Sequence, residues 1–188
     1  MARSAKSTAS LPVALELLAT EHRKVEALFQ RYEEEKEGAV DSRGDLAQRI
    51  CKELTEHTRL EEEIFYPWLR EKLDRESTDL IDEALVEHAS AKDLIAQIEG
   101  AGSVDETYDA RVKVLGEYVR HHVREEENEM FPKVAGEEDE LDELGQEMHA
   151  RRAELREELG LPEAGEEEAA GVPMRQRAES RQGARSAH

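Results

Sequence analysis

His57-Thr-Arg-Leu-Glu61-Glu62-Glu63-Ile-Phe65-Tyr66-Pro67 returns 65 residues later as His122-Val-Arg-Glu-Glu126-Glu127-Asn-Glu-Met-Phe131-Pro132. Each copy has Glu at +4 and +5 from the His, Pro at +10, and a Phe shortly before the Pro. On a helix, residues four apart stack on one face, about 5–6 Å apart at Cβ. An imidazole and a carboxylate so placed are able to share one metal ion, or to hold one and bridge to the next. Whether they do depends on whether the rest of the chain aims the two copies at each other.

The hydrophobic pattern supplies that frame. Ser10 reads as a cap and Pro12 as a first-turn residue. Leu15, Leu18, His22, Val25, Phe29 and Tyr32 then form one inward stripe with His22 in its middle. Residues 38–44 read as a loop. A second helix carries Leu46, Ile50, Leu54, His57, Glu61, Phe65 and Trp68 on one face, and Pro67 is expected to kink or end it near Trp68. After a break at 74–78, with Ser77 or Thr78 as cap, a third helix aligns Ile81, Leu85, His88, Ala91, Ile95 and Ile98. Ser103 and Glu106 read as a capping box. The fourth helix stripes Tyr108, Val112, Leu115, Val119, His122, Glu126 and Met130, and is expected to stop at Pro132.

Four helices on short loops predict an all-α, up-down-up-down four-helix bundle over residues 10–133. The halves repeat: His22 to His88 is 66 residues, and Glu21-His22 is matched by Glu87-His88. Residues 134–162 read as a linker and a fifth amphipathic helix, with Leu141, Leu144, Met148, Leu155 and Leu159, ending at Gly160-Leu-Pro162. Its apolar face suggests a monomer or a weak homo-oligomer formed through that helix. Residues 1–9 and the Gly, Ala, Glu and Arg tail at 163–188 read as disordered.

Composition narrows the function classes. Apolar residues make up 38% of the chain and aromatics 4%, so the core is expected to be a narrow bundle seam. A net charge of -20 argues against an electrostatic grip on nucleic acid or on an anionic membrane. Cys51 is the only cysteine, so no internal disulfide is possible and it reads as a buried, inert thiol. No apolar run is long enough for a membrane span, and a cytoplasmic location is expected.

Glu fills 36 of the 188 positions, so a lone His-x3-Glu recurs by chance, as His121 with Glu125 illustrates. The constellation is more specific. His22, His57, Glu61, His88, His122 and Glu126 all fall in the buried phase of their helices. A buried carboxylate without a partner costs several kcal/mol, and two facing each other cost more, unless cations neutralise them. Imidazole with carboxylate and no thiolate suits iron, manganese or zinc. A site of two His per metal and two bridging Glu leaves room for a small exogenous ligand. The ferritin-like alternative, Glu-x-x-His, is disfavoured because no His here has Glu three residues before it.

The order His, His-x3-Glu, His, His-x3-Glu, closed by Phe-Tyr-Pro and Phe-Pro, resembles the haemerythrin-like HHE cation-binding domain family over about residues 12–133. The resemblance implies a non-haem centre of two iron ions, oxo-bridged, with His22, His57, His88 and His122 as terminal ligands and Glu61 and Glu126 as bridges. It further implies a small diatomic or peroxide ligand: binding or sensing of O2 or NO, with peroxide decomposition or NO reduction as the alternative and iron storage behind both. Two departures stand out. Lys92 replaces the second third-helix His of the oxygen carriers, and Glu126 at +4 followed by Glu127 replaces their Asp at +5. Losing that His makes the two metals more alike and argues against reversible oxygen carriage. Lys92 is expected one turn from His88 beside the metal, either neutral or pushed outward. Glu62 and Glu127 read mainly as solvated surface charge, with ligation as the alternative. Tyr118 reads as a packed side chain, with a hydrogen bond to a metal-bound ligand as the alternative. His121 and His149 read as exposed.

Overall fold

The computed structural model describes residues 11–35, 40–75, 77–101 and 106–162. The expectations for residues 1–9, the Ser10 cap, the Ser103 capping box and the 163–188 tail lie outside them. All regular structure among the described residues is helical: α1 (Val13–Glu34), α2 (Val40–Leu60), α3 (Tyr66–Lys72), α4 (Asp79–Glu99), α5 (Glu106–Glu125), α6 (Phe131–Val134) and α7 (Glu138–Leu159).

At Pro67 the rod continues rather than ends, and the fourth rod does not stop at Pro132. A π-helical turn, Glu61–Phe65, joins α2 to α3, and a second, Glu126–Met130, joins α5 to α6. In each turn the N–H five residues on, from Tyr66 or Phe131, donates to the carbonyl of the motif Glu. The wider turn lets Pro67 and Pro132 fall in the first turn of a new helical segment, where a missing N–H costs nothing. The helices therefore run on to Lys72 and Val134. The expected loop at 38–44 is also shorter, because α2 begins at Val40. Buried Arg43 fastens this first turn: its guanidinium lies over the Tyr32 ring, 5.0 Å from the centroid, and pairs with Asp109.

Side-chain pairs fix how the helices run. Glu21 with His57, and Lys24 with Glu53, align α1 and α2 antiparallel. Tyr32 with Asp109, Arg120 with Glu26, and His22 with Glu127 align α1 antiparallel to the rod of α5 and the turn after it. Arg70 with Asp82, and Lys92 with Glu62, do the same for α4 and the rod containing α2 and α3. α4 also packs on α5.

α7 lies in the groove between α1 and α2. Its Leu141, Leu144, Met148 and Leu155 are buried in the same cluster as Leu15 and Leu18, so the apolar face is covered within the chain. Asp142 accepts from the Val13 N–H at 2.9 Å, and so serves the otherwise open first turn of α1. Gly145 permits the approach: a Cβ there would come within 2.6 Å of the Ala14 nitrogen.

The apolar core divides into two clusters. One contains Leu15, Leu18, Phe65, Tyr66, Ile81 and Met130. The other contains Val25, Phe29, Ile50, Leu54, Ile95 and Leu115. Most apolar residues of the expected stripes in the bundle are buried in these clusters; Trp68 and Val119 are partly buried against them, and Leu85 is 37% exposed with Ala84 facing inward in its place. Cys51 is fully buried, as expected.

Candidate metal centre

Between the two apolar clusters lies a polar layer. His22, His57, His88, His122, Glu61 and Glu126 all lie in it and all are buried. They form two groups that share a carboxylate: His22, His57, Glu61 and Glu126; and Glu61, His88 and His122. Within each group one donor atom per residue lies within 4.8 Å of every other. All six residues proposed from sequence are therefore brought together.

The imidazoles present Nε2 inward. His57 Nε2 is 3.1 Å from Glu61 Oε1, and His88 Nε2 is 3.3 Å from Glu61 Oε2. His22 Nε2 and His122 Nε2 lie 3.2 and 3.7 Å from Glu126 Oε2. Each carboxylate thus faces one His of each half. His22 Nε2, His57 Nε2, both Glu61 oxygens and Glu126 Oε2 are buried without a hydrogen-bond partner. Buried polar atoms are nearly always bonded, and orphans converging on one point fit a cation there. The donor set, imidazole and carboxylate without thiolate, suits iron, manganese or zinc.

The outer nitrogens are as ordered as the inner ones. His22 Nδ1 meets Glu127 at 2.9 Å, His57 Nδ1 meets Glu21 at 3.0 Å, His88 Nδ1 meets Glu62 at 2.9 Å, and His122 Nδ1 meets Glu87 at 3.0 Å. An Nδ1–H donated to a carboxylate fixes the tautomer and leaves the Nε2 lone pair free for a metal. None of these four carboxylates was assigned a role from sequence. Glu62 and Glu127 were read as solvated charge, and the structure corrects that reading. Their signal was the repeat itself: Glu at +5 in both motifs, and Glu directly before His22 and His88.

Lys92 takes the outward of its two expected courses. It does not rise beside the centre; its Nζ lies 2.6 Å from both oxygens of Glu62, so the cation serves the carboxylate behind His88. Tyr118 is 48% exposed. The aromatic hydroxyl that reaches the layer belongs to Tyr66, which donates to Glu126 Oε1 at 2.8 Å and lies 3.4 Å from His88 Nε2. Its counterpart in the second copy is Phe131, stacked on the His22 ring at 6.1 Å. At this position the two halves differ by one hydroxyl. His121 has a 55% exposed side chain and pairs with Glu125 and Glu87 at the surface.

The charges sustain one another. Burial alone would drive His57 towards neutrality, but Glu61 and Glu21 overcome it and raise its pKa well above the usual value. Burial would likewise push Glu61 up, and the His57 and His88 rings pull it well below the ordinary carboxylate range. Tyr66 is raised well above the normal phenol, first by burial and then by Glu126 and Glu61, so it keeps its proton.

A cavity adjoins the layer, lined by the four imidazoles, by Val25, Leu54, Ala91 and Val119, and by the half-exposed Tyr118. It leaves about 20 Å³ for the centre of a water-sized molecule. One small molecule needs roughly 10–15 Å³ by that measure. Its occupant would meet imidazole nitrogens on one side and hydrocarbon on the other.

No solved structure matches the chain. A curated relative, a DNA nickase from Nostoc sp. (strain PCC 7120 / SAG 25.82 / UTEX 2576), is 26% identical over 147 residues, which is 77% of this chain and 40% of that protein. The chain thus spans well under half of that relative. The model of the family described as "Hemerythrin HHE cation binding domain" matches residues 13–134, a span that holds both motifs, both π-turns and all six inward-facing residues: the chain belongs to the hemerythrin HHE cation-binding family.

Proposed function

We propose that this chain is a non-haem di-iron protein that binds or senses a small oxidant such as O2 or NO, on an up-down-up-down four-helix bundle over residues 10–133 with α7 laid against it. His22 and His57 hold one iron, His88 and His122 the other, and Glu61 and Glu126 lie between them. The observation that carries this reading is the convergence of orphaned buried donor atoms beside a small apolar cavity. When bound, two irons supply one-electron changes in pairs and open coordination positions for a small ligand.

The chain's own residues do the rest. Glu21, Glu62, Glu87 and Glu127 hold the imidazoles in the metal-binding tautomer. The hydrocarbon lining of the cavity limits an occupant to a few atoms and excludes bulk water. Tyr66 favours the second reading, peroxide decomposition, because its hydroxyl, adjacent to the donor atoms, is a hydrogen-bond donor 2.8 Å from Glu126. DNA nicking is not carried over from the longer relative: a net charge of -20 opposes a phosphate backbone, whose binding rests on basic side chains.

The test is an optical spectrum of iron-loaded protein, reduced anaerobically, then mixed separately with O2, NO and peroxide. New bands with NO or peroxide, and rapid, irreversible oxidation in air, are expected. A long-lived O2 spectrum that reverses under argon would contradict rapid oxidation in air and point to oxygen storage. No spectral change with any of the three would remove both readings.

A further inference from the structure

The four carboxylates behind the imidazoles are secured in different ways. Lys92 grips Glu62. His121 lies 3.5 Å from Glu87, and Glu127 has a 40% exposed side chain. Glu21 is the buried one, at 4% exposed, and its outer partner comes from α7. Glu21 Oε2 faces His57 Nδ1 at 3.0 Å, and Glu21 Oε1 lies 2.7 Å from Arg152 Nε. The Arg152 N–H is itself aligned on Glu56 Oε1, also at 2.7 Å, so Glu21 is held by charge at close range while Glu56 takes the hydrogen bond. Two contacts therefore connect the C-terminal helix to an inward-facing imidazole.

Docking of α7 does not explain this placement. Leu141, Leu144, Met148 and Leu155 already give it an apolar face. A helix that served only as a cover would need no buried charge on either side of Leu155. At this level the chain nevertheless buries charge: Glu53 and Glu56 from α2 against Arg156, and Glu21 from α1 against Arg152. Burying ion pairs is commonly neutral or unfavourable compared with apolar packing, whereas removing one partner leaves an uncompensated charge at high cost. Arg156 serves Glu53, Glu56 and the Pro162 carbonyl. Of the two arginines, Arg152 is the one paired with Glu21.

We propose that Arg152 is a positioning residue for the ion held by His22 and His57: by holding Glu21 it orients the His57 ring, and it makes α7 part of the metal centre. This rests on the di-iron reading. Without the guanidinium, Glu21 Oε1 is a buried carboxylate oxygen with neither a hydrogen bond nor an opposing charge. Glu21 then turns towards water and His57 Nδ1 loses its fixed acceptor. Loss of the partner behind a metal-bound His lowers metal affinity about 10–100-fold. Arg152 stands one contact further out, so the low end of that range applies, and only to the ion on the His57 side.

The experiment follows iron release from full-length, iron-loaded, reduced protein to a bipyridine chelator, alongside the absorption spectrum and circular dichroism. Wild type should release both irons slowly. Arg152→Gln should release one iron per chain about tenfold faster and the second at the wild-type rate, and Arg152→Lys should recover much of the difference. Arg156→Gln removes comparable buried contacts and should lower the melting temperature, yet release both irons as wild type does. If Arg152→Gln does not fold, Glu21→Gln tests the same link and should show the same one-iron fast phase. Wild-type release from Arg152→Gln or its substitute, or an equal fast phase in Arg156→Gln, would overturn the proposal and leave the di-iron reading standing. Iron-free wild type would overturn the di-iron reading itself, and this proposal with it.

Discussion

His121 and His122 are neighbours with opposite surroundings. His122 is buried, with Nε2 turned to the polar layer and Nδ1 against Glu87; His121 points to solvent. His122→Ala should lose most bound metal and its near-ultraviolet absorption, while His121→Ala keeps both, as metal analysis and spectroscopy would record. The reverse result would put the helix out of register by one residue. Tyr66→Phe would remove the hydroxyl that donates to Glu126 Oε1 and make the second half-site match the first. Leaving a buried acceptor unbonded costs about 1–3 kcal/mol, so the metal-free variant should unfold at correspondingly lower denaturant. An unchanged midpoint would mean that Glu126 finds another donor. The six inward residues were legible in the sequence because each falls on an apolar stripe, where a His or Glu is conspicuous. Their outer partners were not. Glu62 and Glu127 sit one step off the stripe, and what they touch depends on which helix crosses there.

The π-turns explain why the ends of the elements were harder to read than their faces. Proline normally breaks the helical ladder, so Pro67 and Pro132 looked like ends. One extra residue in the turn resolves the conflict, and in both copies it starts at the motif Glu, which sets the angle of that carboxylate. Nothing in the spacing of apolar residues marks a π-turn before the neighbouring rods are known. On α2 the buried face does have a measurable consequence. Burial, with Glu99 adding to it, pushes the Cys51 thiol up to about 12 from an ordinary 9.0. At pH 8 the folded protein should react with a disulfide reagent at least about a hundredfold more slowly than the denatured chain, since the thiolate is the nucleophile. The sign for stability follows from the raised value: the thiol's contribution is complete below pH 9 and is lost as pH climbs towards 12. Fast labelling of folded protein at pH 8 would show that this face of α2 opens.

The assembled molecule differs most from its sequence reading at α7. The amphipathic pattern was plain, but pattern alone does not say what covers an apolar face, and an oligomer was one candidate. Here α1 and α2 cover it, Gly145 allows the close approach, and Asp142 and Arg152 tie it to α1 at two levels. Four large buried side chains contribute about 1.5–3 kcal/mol each, a sum comparable with the stability of a whole domain. A chain ending at Gly136 should therefore unfold at much lower denaturant or fail to fold, as circular dichroism would show; a stable helical product would mean that α7 is an accessory. The central claim, that the polar layer between the two apolar clusters holds a metal pair, is most directly tested by metal analysis of protein produced in iron-replete medium. The account predicts close to two irons per chain. Zero or one, in protein that is fully helical by circular dichroism, would contradict it.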